Sequence, residues 1–202
     1  MPWADYLLTV VSGYAAYELI KFARGRGRLK FLGLTIAACI FTFMEVTAVI
    51  GSFFSTTAVT TVVGFIFEWG HLICLAFILS SLAVFVRESK PVFVRFPLVY
   101  TALPLFIIIS YFFVLESTLL RRWLFFLYQG GALAVGLLMY GLYTYRLKKY
   151  VFIFSGVLLL FITYIIYWSA PTLSESMPWI WKISLSAGIL TAIYGYQTAH
   201  KY

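Results

Sequence analysis

Seven apolar runs of about 20 residues follow one another along this chain, separated by short segments rich in charged residues, glycine, proline or hydroxyl side chains. A helix of that length crosses the hydrocarbon core of a bilayer, which is about 30 Å thick. In lipid a spanning segment must satisfy its backbone polar groups internally, so runs of this kind fold as helices. We therefore predict an all-α polytopic membrane protein, with residues 1–202 forming a single seven-transmembrane-helix bundle. The predicted spans are residues 6–22, 31–51, 58–86, 97–115, 123–145, 151–169 and 179–198.

Composition excludes a conventional soluble domain. The chain is 63% hydrophobic and 11% charged, whereas soluble domains are about 45–50% apolar and about 25% charged. Seven spans of about 20 residues leave roughly 60 residues for connections and tails, fewer than the roughly 100 that a soluble catalytic or nucleotide-binding domain needs. Function is therefore expected inside the bilayer or within a few residues of it.

Lysine and arginine are distributed unequally between alternate connections. Twelve of the 15 lie on the side of connections one, three and five and the C-terminus, and three lie on the opposite side. Because short positively charged loops stay on the cytoplasmic side, we predict an external N-terminus and a cytoplasmic C-terminus. The net charge of +8 is then explained by the loops that fix the orientation in the membrane. No nucleic-acid partner is expected.

The expected partners follow from the same reasoning. They are the lipid bilayer and anionic lipids at the cytoplasmic face, and a protein partner or a homo-oligomer is left open. The short loops favour a bacterial cytoplasmic membrane as the location.

Three ionisable residues lie well away from the ends of the predicted spans: Glu45, Glu68 and His71. Each costs about 2.5–3.5 kcal/mol at the centre of a span, so each needs a partner, a cavity or a function. Spans two and three are joined by a short turn, so residues at equal depth have numbers with a nearly constant sum. Glu45 and Glu68 give 113, and His71 follows Glu68 by one helical turn on the same face. We predict a pocket in the outer half of the bilayer, lined by these three residues and Thr42.

Two further residues are assigned to this pocket. Trp69 lies beside Glu68, and Lys182 near the outer end of span seven either reaches the pocket as a counter-charge or extends to water. A purely structural role for these residues remains open. The polar groups can form hydrogen bonds across a helix pair without binding a ligand, and Trp69 can fill the core. The predicted ligand-binding or proton-relay residues are Glu45, Glu68, His71, Lys182, Thr42 and Trp69.

Known chemical templates fit these residues only in part. Glu68 and His71 form one Glu-x-x-His half-motif of the kind found in di-metal bundles, which need two such motifs and further carboxylates. Glu68, His71 and Glu45 are thus weak candidate metal ligands, and the cofactor is left open. No catalytic residue is assigned, because His71 and Cys74 on one regular helix seldom reach the separation of about 3 Å that nucleophile and base require. A role other than that of an enzyme is favoured.

The seven-span plan with an external N-terminus resembles microbial rhodopsins and seven-helix receptors at the level of topology. Glu68 followed by Trp69 in span three is similar to a counter-ion segment, and Lys182 is the only lysine in span seven. The resemblance implies a retinal cofactor bound through Lys182. The sequence departs from that pattern because Lys182 lies near the outer end of its span and not near the middle.

These observations favour a small membrane module for sensing or ligand binding, which recognises an external small molecule, lipid head group, proton or ion and acts through a separate partner. The alternative is a proton-coupled transporter or channel with Glu68 and His71 as relay. Secondary carriers usually contain inverted repeats and broken spans, and neither is evident in this sequence. A retinal-binding protein and an intramembrane metal enzyme are further alternatives.

Overall fold

The chain is all-helical throughout the part that the structure, a computed structural model, describes: residues 3–24, 28–54, 56–89, 97–169 and 177–200. Seven α-helices and no strand occur within these ranges, and a short 3-10 turn, Lys148–Tyr150, joins the fifth helix to the sixth. Every predicted span coincides with one helix whose ends lie within five residues of those expected. The helices are α1 Trp3–Arg24, α2 Arg28–Ser52, α3 Thr57–Ser89, α4 Pro97–Phe113, α5 Thr118–Arg146, α6 Val151–Ser169 and α7 Pro178–His200.

Four of the described helical segments are long and apolar enough to cross a membrane, which indicates an integral membrane protein. They are Phe31–Ser52, Thr57–Phe85, Thr118–Arg146 and Lys148–Ser169. Several basic residues that enter the predicted orientation, including Arg26, Lys90, Arg95 and Lys201, lie outside the described residues.

The chain divides into two compact units. The first comprises residues 1–15 and 129–202, and the second comprises residues 16–128. The boundaries fall inside α1 and α5. That the whole chain forms a single bundle stays a prediction.

In the first unit, α6 and α7 pack closely as an antiparallel pair. A Cβ atom added at Gly156 would lie 2.5 Å from the backbone nitrogen of Ala192, and one added at Gly195 would lie 2.5 Å from that of Ile153. Small residues let membrane helices approach at this range, and the gain is van der Waals contact between backbones. A hydroxyl hydrogen bond of 2.6 Å between Thr163 and Ser184 joins the same two helices.

The first half of α1 runs parallel to α7 in this unit. Asp5 pairs with Lys182 near the start of both helices. Further along both, the Gln197 amide donates to the Tyr14 hydroxyl at 2.9 Å. Because the residue numbers of the contacts increase together along both helices, the two helices are parallel. Therefore α1 and α7 begin at the same end of the unit.

In the second unit, α2 and α3 form an antiparallel hairpin with the register that the sequence predicts. Gly51 lies against Val63, Gly33 against Ser81, and Gly70 against Met44. Each pair of numbers adds to 114, close to the expected 113. The Cys74 thiol on α3 also donates to the Ala37 carbonyl on α2, at 3.2 Å.

A different face of α3 packs against α4. Leu72 and Ala76 of α3 form a buried cluster with Ile107 and Tyr111 of α4. The face of α3 that contains Gly70 and Cys74 points to α2, so α3 is packed on two sides. This arrangement places Glu68 on the side of α3 that faces α4.

The start of α3 extends past the end of α4. Glu68 contacts Tyr111 in the last turn of α4, yet it lies 11 residues beyond Thr57, where α3 begins. At 1.5 Å per residue, about 16 Å of α3 therefore projects beyond this level. The projecting α2–α3 tip carries exposed apolar side chains such as Phe53 and Val62.

Candidate functional site

Glu68 forms the centre of a charged cluster built by three helices. Its carboxylate accepts a hydrogen bond from the Tyr111 hydroxyl and an ion-paired hydrogen bond from the Arg121 guanidinium. Tyr111 lies in the last turn of α4 and Arg121 in the first turns of α5, which follows after a turn at residues 114–117. This tight reversal brings the phenol and the guanidinium to one carboxylate on α3.

The cluster is neither a surface ion pair nor a closed interior one. The exposed fraction is 34% for the Glu68 side chain and 26% for that of Arg121, while Tyr111 is fully buried. At partial burial the attraction exceeds that of a surface pair, and both groups keep an edge that another molecule can reach. The Nε atom of Arg121 is itself buried without a hydrogen-bond partner in the described structure.

Aromatic rings pack around the Tyr111 side of this cluster. The Trp69 ring lies 5.5 Å from that of Tyr111 and 5.3 Å from that of Phe112, measured between centroids. Phe125 of α5 packs edge-on against Tyr111 at 5.6 Å. The two pairs that involve Tyr111 are edge-to-face, an arrangement that packs favourably at these separations, so the Tyr111 hydroxyl is held in place beside Glu68.

The other predicted site residues of this unit lie on α2 and further along α3. Glu45 is buried on α2, at the level given by the neighbouring contact between Met44 and Gly70. The Thr42 hydroxyl donates to the Ala38 carbonyl at 2.8 Å within its own helix. Of the predicted set, Glu68 and Trp69 take part in the cluster around Tyr111.

His71 is bonded within α3. Its Nδ1 lies 2.8 Å from the Phe67 carbonyl oxygen. A carbonyl only accepts, so Nδ1 carries the proton and Nε2 is the acceptor in the neutral ring. Within the described part of the chain no hydrogen bond joins His71 to Glu68. The shared pocket of Glu45, Glu68, His71 and Thr42 stays a prediction.

Lys182 pairs with Asp5 inside the first unit. Its side chain is 18% exposed, so the ammonium group is held near Asp5 and does not extend fully into water. The Trp181 ring lies 5.4 Å from the same ammonium group. Both the predicted role in a ligand site and the retinal linkage remain predictions.

Three residues at these sites escaped sequence reasoning: Arg121, Tyr111 and Asp5. Arg121 stands just before the predicted start of span five and was counted as a topology charge, but α5 begins earlier, at Thr118. Asp5 precedes the predicted first span and lies in the first turn of α1. A charge within one turn of a predicted span end is the signal that could have identified both.

No metal centre is assembled among the described residues, where no three His, Cys, Asp or Glu side chains come together. Cys39 and Cys74 are free thiols. The residues that could touch a ligand at the cluster are therefore Glu68, Arg121 and the rim of Trp69, which suit an ion or a small polar group.

No protein-family model, curated protein or solved structure matches this chain.

Proposed function

We propose that this protein is a seven-span membrane module for sensing or ligand binding, with its N-terminus outside and its C-terminus in the cytoplasm. The proposed site is the cluster of Glu68, Arg121 and Tyr111, and the proposed ligand is an external small molecule or head group that carries an anionic group. The observation that supports this most is the partly exposed ion pair between Glu68 and Arg121, which joins α3 to α5.

Arginine chemistry favours an anionic ligand. A guanidinium offers five N–H donors in a planar fork that matches carboxylate and phosphate groups. One terminal nitrogen of Arg121 meets Glu68, and the exposed edge keeps further donors. An incoming oxyanion would share or take over this guanidinium, and the Glu68 carboxylate would keep its bond from Tyr111.

Exchange of partners at Arg121 supplies a sensing mechanism. In the unliganded protein the ion pair holds the start of α5 against α3. A ligand that binds Arg121 better when Glu68 has moved away shifts the population toward that second arrangement, and it does so only to the extent of this difference in affinity. A separate partner protein would read the change.

The position of the cluster supports recognition on the external side. Glu68 lies 19 residues from Arg87, at the opposite, basic end of α3, which is about 28 Å at 1.5 Å per residue. This length equals the hydrocarbon thickness of a bilayer. With the basic end in the cytoplasm, as the charge distribution predicts, the cluster lies at the outer boundary of the membrane.

The alternative is a proton-coupled transporter or channel that uses Glu68 and His71 as relay. A relay between Glu68 and His71 needs a hydrogen-bonded path between them, whereas Glu68 is bonded to Tyr111 and Arg121 and His71 to the Phe67 carbonyl. The contacts of Glu68 therefore favour binding. We expect proteoliposomes with the protein to show no more pH-driven proton uptake than those with Glu68→Gln, and a flux that depends on Glu68 would favour the alternative.

Ligand binding is tested by thermal melting of the detergent-purified protein with inorganic phosphate, acetate and citrate as separate probes. A ligand at 100 times its Kd stabilises the folded state by about 2.7 kcal/mol, so at least one probe should raise the Tm. The shift should be absent in Arg121→Gln and retained in Arg122→Gln, the matched control, because Arg122 is exposed and adjacent. Equal shifts in both variants, or none in the wild-type protein, would overturn the proposal.

A further inference from the structure

A shallow apolar groove runs along the α5–α6 hairpin. Its volume is about 390 Å³, and its lining contains no polar side chain. Gly141 lies beside the Phe154 ring, and a Cβ atom there would sit 3.5 Å from it, in ordinary van der Waals contact. The lining residues are Leu137, Leu138, Gly141, Leu142, Phe154 and Leu158.

The groove leads to a basic turn. Leu138, Leu142 and Arg146 follow one another at four-residue steps, so they form one stripe along α5. Lys148 and Lys149 come next, in the short turn before α6, and all three basic side chains are exposed. Three exposed positive charges therefore follow the groove along the chain, beginning about one helical turn beyond Leu142.

We propose that this groove and turn bind one anionic phospholipid, with an acyl chain along the groove and the phosphate at Arg146, Lys148 and Lys149. Basic sites at the cytoplasmic ends of membrane helices bind anionic head groups. The volume lies at the small end of the range for ligand sites, about 300–1,000 Å³, which suits part of one acyl chain and not a whole lipid.

Charge argues against a second copy of this chain as the occupant. Two copies related by an axis along the membrane normal would place their basic turns on the same side, and contact through the groove would bring like charges together. A phosphate group instead complements the turn. This inference does not depend on the proposed ligand site at Glu68.

The test counts lipids that stay bound to the detergent-purified protein by native mass spectrometry, with phosphatidylglycerol and phosphatidylcholine as the two probes. We expect phosphatidylglycerol to be retained and phosphatidylcholine to be lost. Each basic side chain contributes about a fivefold gain in affinity, so Lys148→Gln with Lys149→Gln should weaken retention roughly 25-fold. Arg122→Gln, at the other end of α5, should leave it unchanged.

The groove is tested separately by filling it. Gly141→Leu should abolish retention of phosphatidylglycerol, whereas Gly131→Leu should not, because Gly131 on the same helix has open space around it. Leu142→Trp fills the groove from an exposed position and serves as a second filling variant if Gly141→Leu misfolds. Equal retention of the two lipids, or wild-type retention in a folded groove-filling variant, would overturn the proposal. A dimer that Gly141→Leu disrupts would identify a second copy as the occupant instead.

Discussion

At the scale of single residues, the Glu68 carboxylate lies in a largely apolar helix where two donors from other helices reach it. Tyr111 gives a neutral hydrogen bond from a buried ring, and Arg121 gives an ionic one from a partly exposed side chain. Removing one partner of such a pair leaves the other charge without compensation, which costs more than removing both.

The first prediction is a coupling between Glu68 and Arg121. Glu68→Gln and Arg121→Gln should each lower the Tm, and the double variant should lower it by less than the sum, because the second change removes no intact pair. Thermal melts of the four proteins measure this coupling. Strictly additive effects would show that the pair contributes nothing to stability.

The second prediction concerns Tyr111, whose ring packs in the core and whose hydroxyl bonds Glu68. Tyr111→Phe keeps the ring and removes only the donor, so unfolding should become easier by about 1 kcal/mol. In the Glu68→Leu background, which offers no acceptor at this position, the same change should cost much less. Chemical denaturation measures the free energy of unfolding in both backgrounds. An equal loss in both would show that Tyr111→Phe acts through packing and not through the hydrogen bond to residue 68.

Sequence reasoning reached Glu68 and Trp69 but neither of the donors to Glu68. The cost of a carboxylate in an apolar run identifies Glu68 without any structure. Its partner depends on which side of α3 faces which neighbour, and apolar residues surround this helix on all sides. The pattern of hydrophobicity therefore could not distinguish the side that faces α2 from the side that faces α4.

At the scale of helices, the glycine contacts of α6 and α7 give a third prediction. Gly156→Ala should destabilise the protein by about 1–3 kcal/mol, because its Cβ would meet the backbone of Ala192, which cannot rotate away. Gly131→Ala is the matched control, since it meets nothing within 4 Å and should gain about 0.5–1 kcal/mol from helix propensity. Equal Tm values for the two variants would contradict the close packing.

The length of α3 gives a fourth prediction. Val62 lies on the part that projects beyond the level of Tyr111, and Ile73 lies near the middle of the helix. Val62→Lys should be tolerated, whereas Ile73→Lys should cost about 2.5–3.5 kcal/mol on insertion. The yield of folded protein in the membrane fraction compares the two. Loss of both variants to the same extent would place the projecting tip inside the hydrocarbon core.

The positions of the helices were predictable because bilayer thickness sets the length of a span. The register of α2 against α3 was predictable because a short turn permits few offsets between the two helices. The early start of α5 was not predictable, because the charges of Arg121 and Arg122 are typical of a loop. The structure continues the helix through both residues, which places one arginine toward Glu68 and leaves the other exposed.

At the scale of the whole molecule, the account depends on which end of each helix faces outward. In the proposed seven-span topology the two termini lie on opposite sides of the membrane, and the basic turn between α5 and α6 lies in the cytoplasm. The same proposed topology puts the Glu68 cluster and the turn at residues 114–117 outside. Both the external ligand site and the cytoplasmic lipid site require this orientation.

Labelling of single cysteines in intact cells with a membrane-impermeant maleimide tests this requirement most directly. In a background with Cys39→Ala and Cys74→Ala, Glu116→Cys beside the cluster should be labelled in intact cells. Lys148→Cys in the basic turn should be labelled only after the membrane is permeabilised. The reverse pattern, or equal labelling of both positions in intact cells, would contradict the account.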